Sequence, residues 1–158
     1  MIAKSNRRMP LCCILLGLLL AFIWGNSLLP GRASSAFSNW VKALLHHLFP
    51  FLFSGSSGGG GGLLRKVAHF TEFAALGACF GWLYGMLRPR QMEQILFTVF
   101  SGFLAACVDE TIQRFVPGRN GCLTDVGIDT AGVITGIILF TAGYLIIKKK
   151  QHHLEEIT

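Results

Sequence analysis

The sequence predicts an all-α integral membrane bundle of four transmembrane helices with one external interfacial or re-entrant helix. Three observations predict it. Hydrophobic residues make up 52% of the 158-residue chain and charged residues only 14%, with a mean hydropathy of +0.54, whereas a soluble domain carries about 25% charge. Four apolar stretches approach the ~20 residues needed to cross a bilayer core. Basic residues collect at the ends of those stretches, so the formal charge of +6 and the pI near 9.4 point to membrane orientation and away from nucleic acid.

Residues 1–150 read as one membrane domain and 151–158 as a tail without a motif. Lys4, Arg7 and Arg8 precede the first span, at about 9–29, which should stop at Pro30-Gly31. A leader peptide with a cleavage pattern at Ser34–Ala36 also fits this start, but the apolar run exceeds the usual ~7–15 residues of a leader and favours a retained span. After a loop at 32–38, Phe37, Trp40, Val41, Leu44, Leu45, Leu48 and Phe49 form a helical apolar stripe. Lys42, His46 and His47 fill the other face, so residues 37–53 read as an interfacial helix with aromatic side chains at headgroup depth. His46 and His47, as adjacent helical positions, diverge and make a poor metal pair.

Residues 54–62 are nearly all glycine and serine and read as a flexible linker. The second span covers about 66–87, the Arg88-Pro89-Arg90 turn follows, the third covers about 92–109 and the fourth about 124–147 before Lys148–Lys150. Of the five cysteines, Cys12, Cys13, Cys79 and Cys107 lie in apolar runs and only Cys122 in a loop, which indicates neither a disulfide framework nor a CxxC metal site.

Spans alternate sides, and the basic ends place both termini in the cytoplasm. The start of span two, the end of span three and the start of span four then share the outer face. Five of the eight acidic residues gather there: Glu72, Asp109, Glu110, Asp125 and Asp129. Charge this close to lipid is costly and calls for pairing or function.

On a helix of about 100° per residue, Arg65, His69 and Glu72 share a face. Asp109 and Gln113 align with Gly102 and Ala106, and Asp125 and Asp129 with Gly132 and Gly136, so acidic ends and small residues look into the bundle together. Gly77, Gly81 and Gly85 give the second span its own close-packing stripe. Pro117-Gly118 supplies a turn that can aim Arg119 at the site, where Arg119 suits a phosphate or carboxylate; Arg65 and Lys66, with Gln113, can hold anionic groups too. His69 suits proton transfer near neutral pH, with Glu72. The remaining carboxylates, Asp109, Glu110, Asp125 and Asp129, can share a proton, orient the others or hold a divalent cation, although no cofactor is required by the sequence. The alternative is that these charges pair with one another to fix packing.

The motifs Arg65-Lys66-x-x-His69-Phe70-x-Glu72-Phe73 and Asp109-Glu110-x-x-Gln113-x-Phe115-x-Pro117-Gly118-Arg119, continued by Asp125, Asp129 and Gly132, resemble the VanZ-like family of small bacterial membrane proteins. That family is named for a protein linked to teicoplanin resistance. Ser34, Ser35 and Ser38 resemble its serine-bearing loop, while Cys122, where a serine is common, and the glycine run before Arg65 depart from its pattern. The resemblance implies a helical protein of the bacterial cell membrane with a role in the envelope or in glycopeptide tolerance. Three readings follow: a site at the outer face that binds or modifies an anionic lipid or lipid-linked precursor, a non-catalytic protein that alters surface access of glycopeptides, and a small proton-coupled transporter. Clustering of the acidic groups at one face rather than mid-bilayer disfavours the transporter.

Overall fold

A computed structural model of the chain describes residues 5–48, 60–87 and 90–157. Five helices account for its regular structure: α1 (Ser5–Ser27), α2 (Gly31–Leu48), α3 (Gly60–Leu87), α4 (Gln91–Phe115) and α5 (Leu123–Ile157). No strand occurs among the described residues. Four helices contain stretches long and apolar enough to cross a membrane: Arg8–Ser27, Gly62–Leu87, Gln91–Phe115 and Leu123–Gln151.

The burial pattern is that of a bundle in lipid. A narrow core of Ile23, Phe73, Leu76, Phe80, Ala105, Ala106, Val126 and Val133 joins α1, α3, α4 and α5. Large apolar side chains such as Leu18, Phe100, Leu139 and Ile146 point outward, where hydrocarbon rather than water is the favourable neighbour. Close packing of α3 on α5 organises the fold. Gly77 faces the backbone of Val133, Gly132 faces the Phe70 carbonyl and Gly136 faces the Ala74 carbonyl, so both helices use glycine to bring backbones into contact. Gly81, by contrast, meets the Ile137 and Phe140 side chains.

Several element boundaries differ from those read in the sequence. The stretch read as a loop at 32–38 is helical, because the Ser34 N–H bonds the Pro30 carbonyl at 3.1 Å and α2 begins directly after that proline. Here α2 packs on α3, with Gly31 and Ser34 buried and Trp40 and Leu44 exposed. Gly60–Gly62 form the first turn of α3, and α5 continues through Lys148–Lys150 to Ile157. α4 runs on to Phe115, which puts Asp109, Glu110 and Gln113 inside a helix. The linker residues 54–59, the end of the interfacial stretch at 49–53 and the turn residues Arg88 and Pro89 lie outside the described residues. So do the side chains of Phe37, Ser38, Val41, Lys42, Leu45, His46 and Leu48.

Candidate functional site

The site is assembled at one end of the bundle by α3, α4 and α5, with α1 as a fourth wall. His69 comes from α3, Asp109 from α4 and Asp129 from α5, and all three are buried. His69 Nδ1 lies 3.6 Å from Asp109 Oδ2 and 4.0 Å from Asp129 Oδ1. Those separations are longer than the ~2.7–3.2 Å of a direct hydrogen bond. One imidazole nitrogen and one oxygen from each carboxylate lie within 4.8 Å of one another, the spacing of a set that can share an ion.

Depth follows from helix geometry. Asp109 sits six residues before the end of α4 and Asp129 six residues after the start of α5, about 9 Å at 1.5 Å per residue. Both carboxylates therefore lie toward the ends of the candidate spans Gln91–Phe115 and Leu123–Gln151, away from their midpoints.

Gln113 holds the α4 wall in place. Its Nε2 is 2.9 Å from Asp109 Oδ2, 3.2 Å from Glu110 Oε1 and 3.4 Å from Ser27 Oγ. An amide nitrogen has two hydrogens, and the two shorter contacts to carboxylates take them. Glu110 then reaches across to α5, where its Oε2 accepts the Cys122 N–H at 2.8 Å. The Cys122 carbonyl accepts the N–H groups of Asp125 and Val126, so Cys122 caps α5 and Glu110 places a carboxylate at that helix's positive end.

Arg119 arrives by a tight turn. The Arg119 N–H bonds the Val116 carbonyl at 3.1 Å, and Gly118 has φ +77°, the conformation a type II turn requires after Pro117. The turn docks against the α1–α2 junction through Gly31 N–H to the Pro117 carbonyl at 3.1 Å. A Cβ at Gly31 would strike the Gly118 carbonyl, so the junction needs glycine. Arg119 Nε donates to the Leu29 carbonyl and Nη2 to the Asn26 carbonyl, both at 2.9 Å, and so ties down the turn that closes α1, where the Asn26 carbonyl also accepts the Leu29 N–H at 3.2 Å. Its third nitrogen, Nη1, is buried without a hydrogen-bond partner. Burial and the nearby Arg65 draw the guanidinium pKa below its ordinary value.

The other sequence-predicted residues fall around this centre. Glu72 receives the Asn26 amide through Oε1 at 3.5 Å, while its Oε2 is buried and unpartnered. Lys66 and Asp125 sit 3.5 Å apart at the half-exposed rim, so these two face each other. Arg65 is half-buried and within electrostatic reach of His69, Glu110 and Arg119. Beside them a cleft of about 270 Å³ opens between α4 and α5, touching Glu110, Arg114 and Cys122. The exposed Cys122 thiol is 3.0 Å from Thr124 Oγ1, and hydrogen bonding there lowers its pKa.

Over residues 12–147 the chain matches the family model described as VanZ/LLP1. It belongs to the VanZ/LLP1 family. The match takes in every residue of the site, from Asn26 to Asp129, and with its four candidate spans the chain is a multi-pass membrane protein of that family. No curated protein and no solved structure matches it.

In this VanZ/LLP1 chain two site residues, Asn26 and Ser27, escape sequence reasoning. They close the first span, and an Asn-Ser pair ending an otherwise apolar run before Pro30 is the signal that marks them.

Proposed function

We propose that this VanZ/LLP1 protein binds the phosphate-bearing headgroup of an anionic envelope lipid or lipid-linked precursor. The polar end of its bundle faces the outside of a bacterial cell membrane, with both termini cytoplasmic. The observation that carries this reading is Arg119 Nη1, a guanidinium nitrogen held inside a membrane bundle with its N–H groups unpaired. A buried donor in that state costs about 1–3 kcal/mol unless a ligand meets it. The other two nitrogens of Arg119 are committed to carbonyls, so the free edge has a fixed direction. Arg65 and Lys66 line the same end and favour the approach of an anion.

The position of the site toward one end of the candidate spans supports a lipid over a transported solute, because transporter sites usually lie near mid-bilayer. His69 and Glu72 are the groups placed for proton movement, with Gln113 and Glu110 as positioning residues. A protein that sequesters or alters a wall-precursor lipid would change glycopeptide access at the surface, which links the site to tolerance of drugs such as teicoplanin.

Lipid retention tests the reading. Purified protein incubated with equal amounts of phosphatidylglycerol, a polyprenyl phosphate and phosphatidylcholine is expected to retain an anionic species about 10-fold over the zwitterionic one by native mass spectrometry, roughly 1.4 kcal/mol of preference. Arg65→Gln and Arg119→Lys should each reduce that preference. Equal retention of all three lipids by the folded wild type would refute it. Lipid extracts of expressing and non-expressing cells then separate modification, which yields a new species, from binding alone.

A further inference from the structure

We propose that His69 Nδ1, Asp109 and Asp129 form a binding site for one divalent transition-metal cation, of the class of Mn²⁺ or Zn²⁺. The inference deepens the lipid-site reading and rests on it for the cation's role, which is to bridge the acidic centre to the phosphate.

Geometry is the first support. Three donors come from three different helices, and the measured pairs are 3.6 and 4.0 Å apart. Ligands about 2.1 Å from a metal stand roughly 3.0–3.4 Å from one another at octahedral or tetrahedral angles. Seating the three on one ion closes the 3.6 Å pair by about 0.2–0.6 Å and the 4.0 Å pair by about 0.6–1.0 Å.

An independent observation is the state of Asp129. It has no exposed surface, and neither of its carboxylate oxygens has a hydrogen-bond partner. Asp109 uses Oδ2 for Gln113 and leaves Oδ1 unpartnered. Two carboxylates in a membrane bundle with three of four oxygens unpaired are expensive to maintain. A divalent ion neutralises two negative charges and takes up a lone pair of each carboxylate. His69 at 3.6 Å or more forms a hydrogen bond with neither, so the imidazole does not settle them by itself.

Donor chemistry selects the ion. One imidazole with two carboxylates favours first-row transition cations over Mg²⁺ or Ca²⁺, which prefer all-oxygen shells. Gln113, bonded to Asp109 at 2.9 Å, orients a ligand from outside the shell, a role whose loss typically weakens a metal about 10–100-fold. Three protein donors leave coordination positions for a phosphate oxygen. The electrostatic conflict of an anion entering an acidic centre is thereby resolved.

The test uses the full chain in detergent, stripped with chelator and dialysed, with Mn²⁺ alone as probe and electron paramagnetic resonance of free Mn²⁺ as readout. One Mn²⁺ per chain is expected to be sequestered, displaced by equimolar Zn²⁺ and not by about 100-fold Mg²⁺. Asp129→Asn and His69→Gln should each weaken binding by at least about 100-fold, and Gln113→Ala by about 10-fold. Arg90→Gln, at the opposite end of the bundle where it pairs with Glu93, should leave it unchanged. Failure of the wild type to sequester Mn²⁺, ready displacement by Mg²⁺, or retained binding in Asp129→Asn would overturn the site. Wild-type data alone decide the matter if a variant misfolds. Sequestered Mn²⁺ with no anionic-lipid preference keeps the metal site and defeats the lipid reading; an anionic preference that chelator leaves intact, with no Mn²⁺ bound, does the reverse.

Discussion

Replacing Gly136 by alanine tests whether the α3–α5 contact sets the geometry of the site. A Cβ built at Gly136 stands 2.8 Å from the Ala74 carbonyl carbon and 2.9 Å from the Ala78 nitrogen, with the Ala74 oxygen closer still. These are backbone atoms, so no side chain can swing away and the helices must part. Overpacking of this kind costs about 1–3 kcal/mol, and contact with rigid backbone places Gly136 at the upper end. Alanine returns about 1 kcal/mol through helix propensity, which leaves a net loss near 2 kcal/mol and a thermal midpoint roughly 4–8 °C lower for a chain of this size. Gly143→Ala is the control, since a Cβ there meets nothing within 4 Å, and it should hold or raise the midpoint. The assay is the thermal loss of monodisperse protein in one detergent, wild type beside both variants. Asp129 lies seven residues from Gly136, about 10 Å along α5, so separation at the contact should also widen the 4.0 Å gap to His69. A Gly136→Ala protein as stable as Gly143→Ala would refute the claim that backbone contact holds these helices together.

Arg119→Lys keeps the charge but loses the fork that serves the Asn26 and Leu29 carbonyls, and should destabilise the bundle by about 1.5–3 kcal/mol in denaturation measurements. Tyr84→Phe removes the 2.8 Å hydrogen bond with Ser101 and should cost about 0.5–1.5 kcal/mol, without altering lipid retention. Because the Cys122 pKa is lowered, its thiolate persists to lower pH than that of an ordinary cysteine; iodoacetamide rates followed against pH should show an early onset that Thr124→Val moves upward. The same exposed thiol reports sidedness, for an impermeant maleimide should label Cys122 in intact cells under the proposed orientation, whereas labelling only after lysis would reverse it.

The four spans and the meeting of their charged ends were legible because both rest on strong, additive signals. A run of some twenty apolar residues has few alternatives to crossing, and alternation of spans brings His69, Asp109 and Asp129 to one end whatever the details of packing. The small-residue positions Gly77, Gly132 and Gly136 were legible for the same reason, since periodicity fixes their face. Direction and partnership were not. Lys66 and Asp125 each suit a ligand in isolation, yet the structure places them 3.5 Å apart at the rim, and only the mutual rotation of α3 and α5 decides that. Arg119 reads in the sequence as suited to a phosphate or carboxylate; in the structure it spends two nitrogens on the Asn26 and Leu29 carbonyls at the end of α1, a partnership set by how the turn docks on that helix end. The start of α2 was hidden by Arg-Ala-Ser-Ser-Ala, small and polar residues that suit a loop or a helix start equally, and the Pro30 carbonyl decided for helix.

Arg119 shows why the site cannot be divided into structural and functional halves. The α1 carbonyls hold its guanidinium rigid, and that rigidity fixes where the unpaired Nη1 points. Gln113 works the same way on the opposite wall, fixing Asp109 Oδ2 while Oδ1 stays open. In each residue one edge is satisfied by the protein and the other is left unpaired inside the bundle. A set of ion pairs serving packing alone would bring its charges within hydrogen-bond distance, because every unpaired atom is a cost. Here the imidazole and its two carboxylates stand at 3.6 and 4.0 Å, close enough to attract yet short of a hydrogen bond, which is the gap the proposed cation would close.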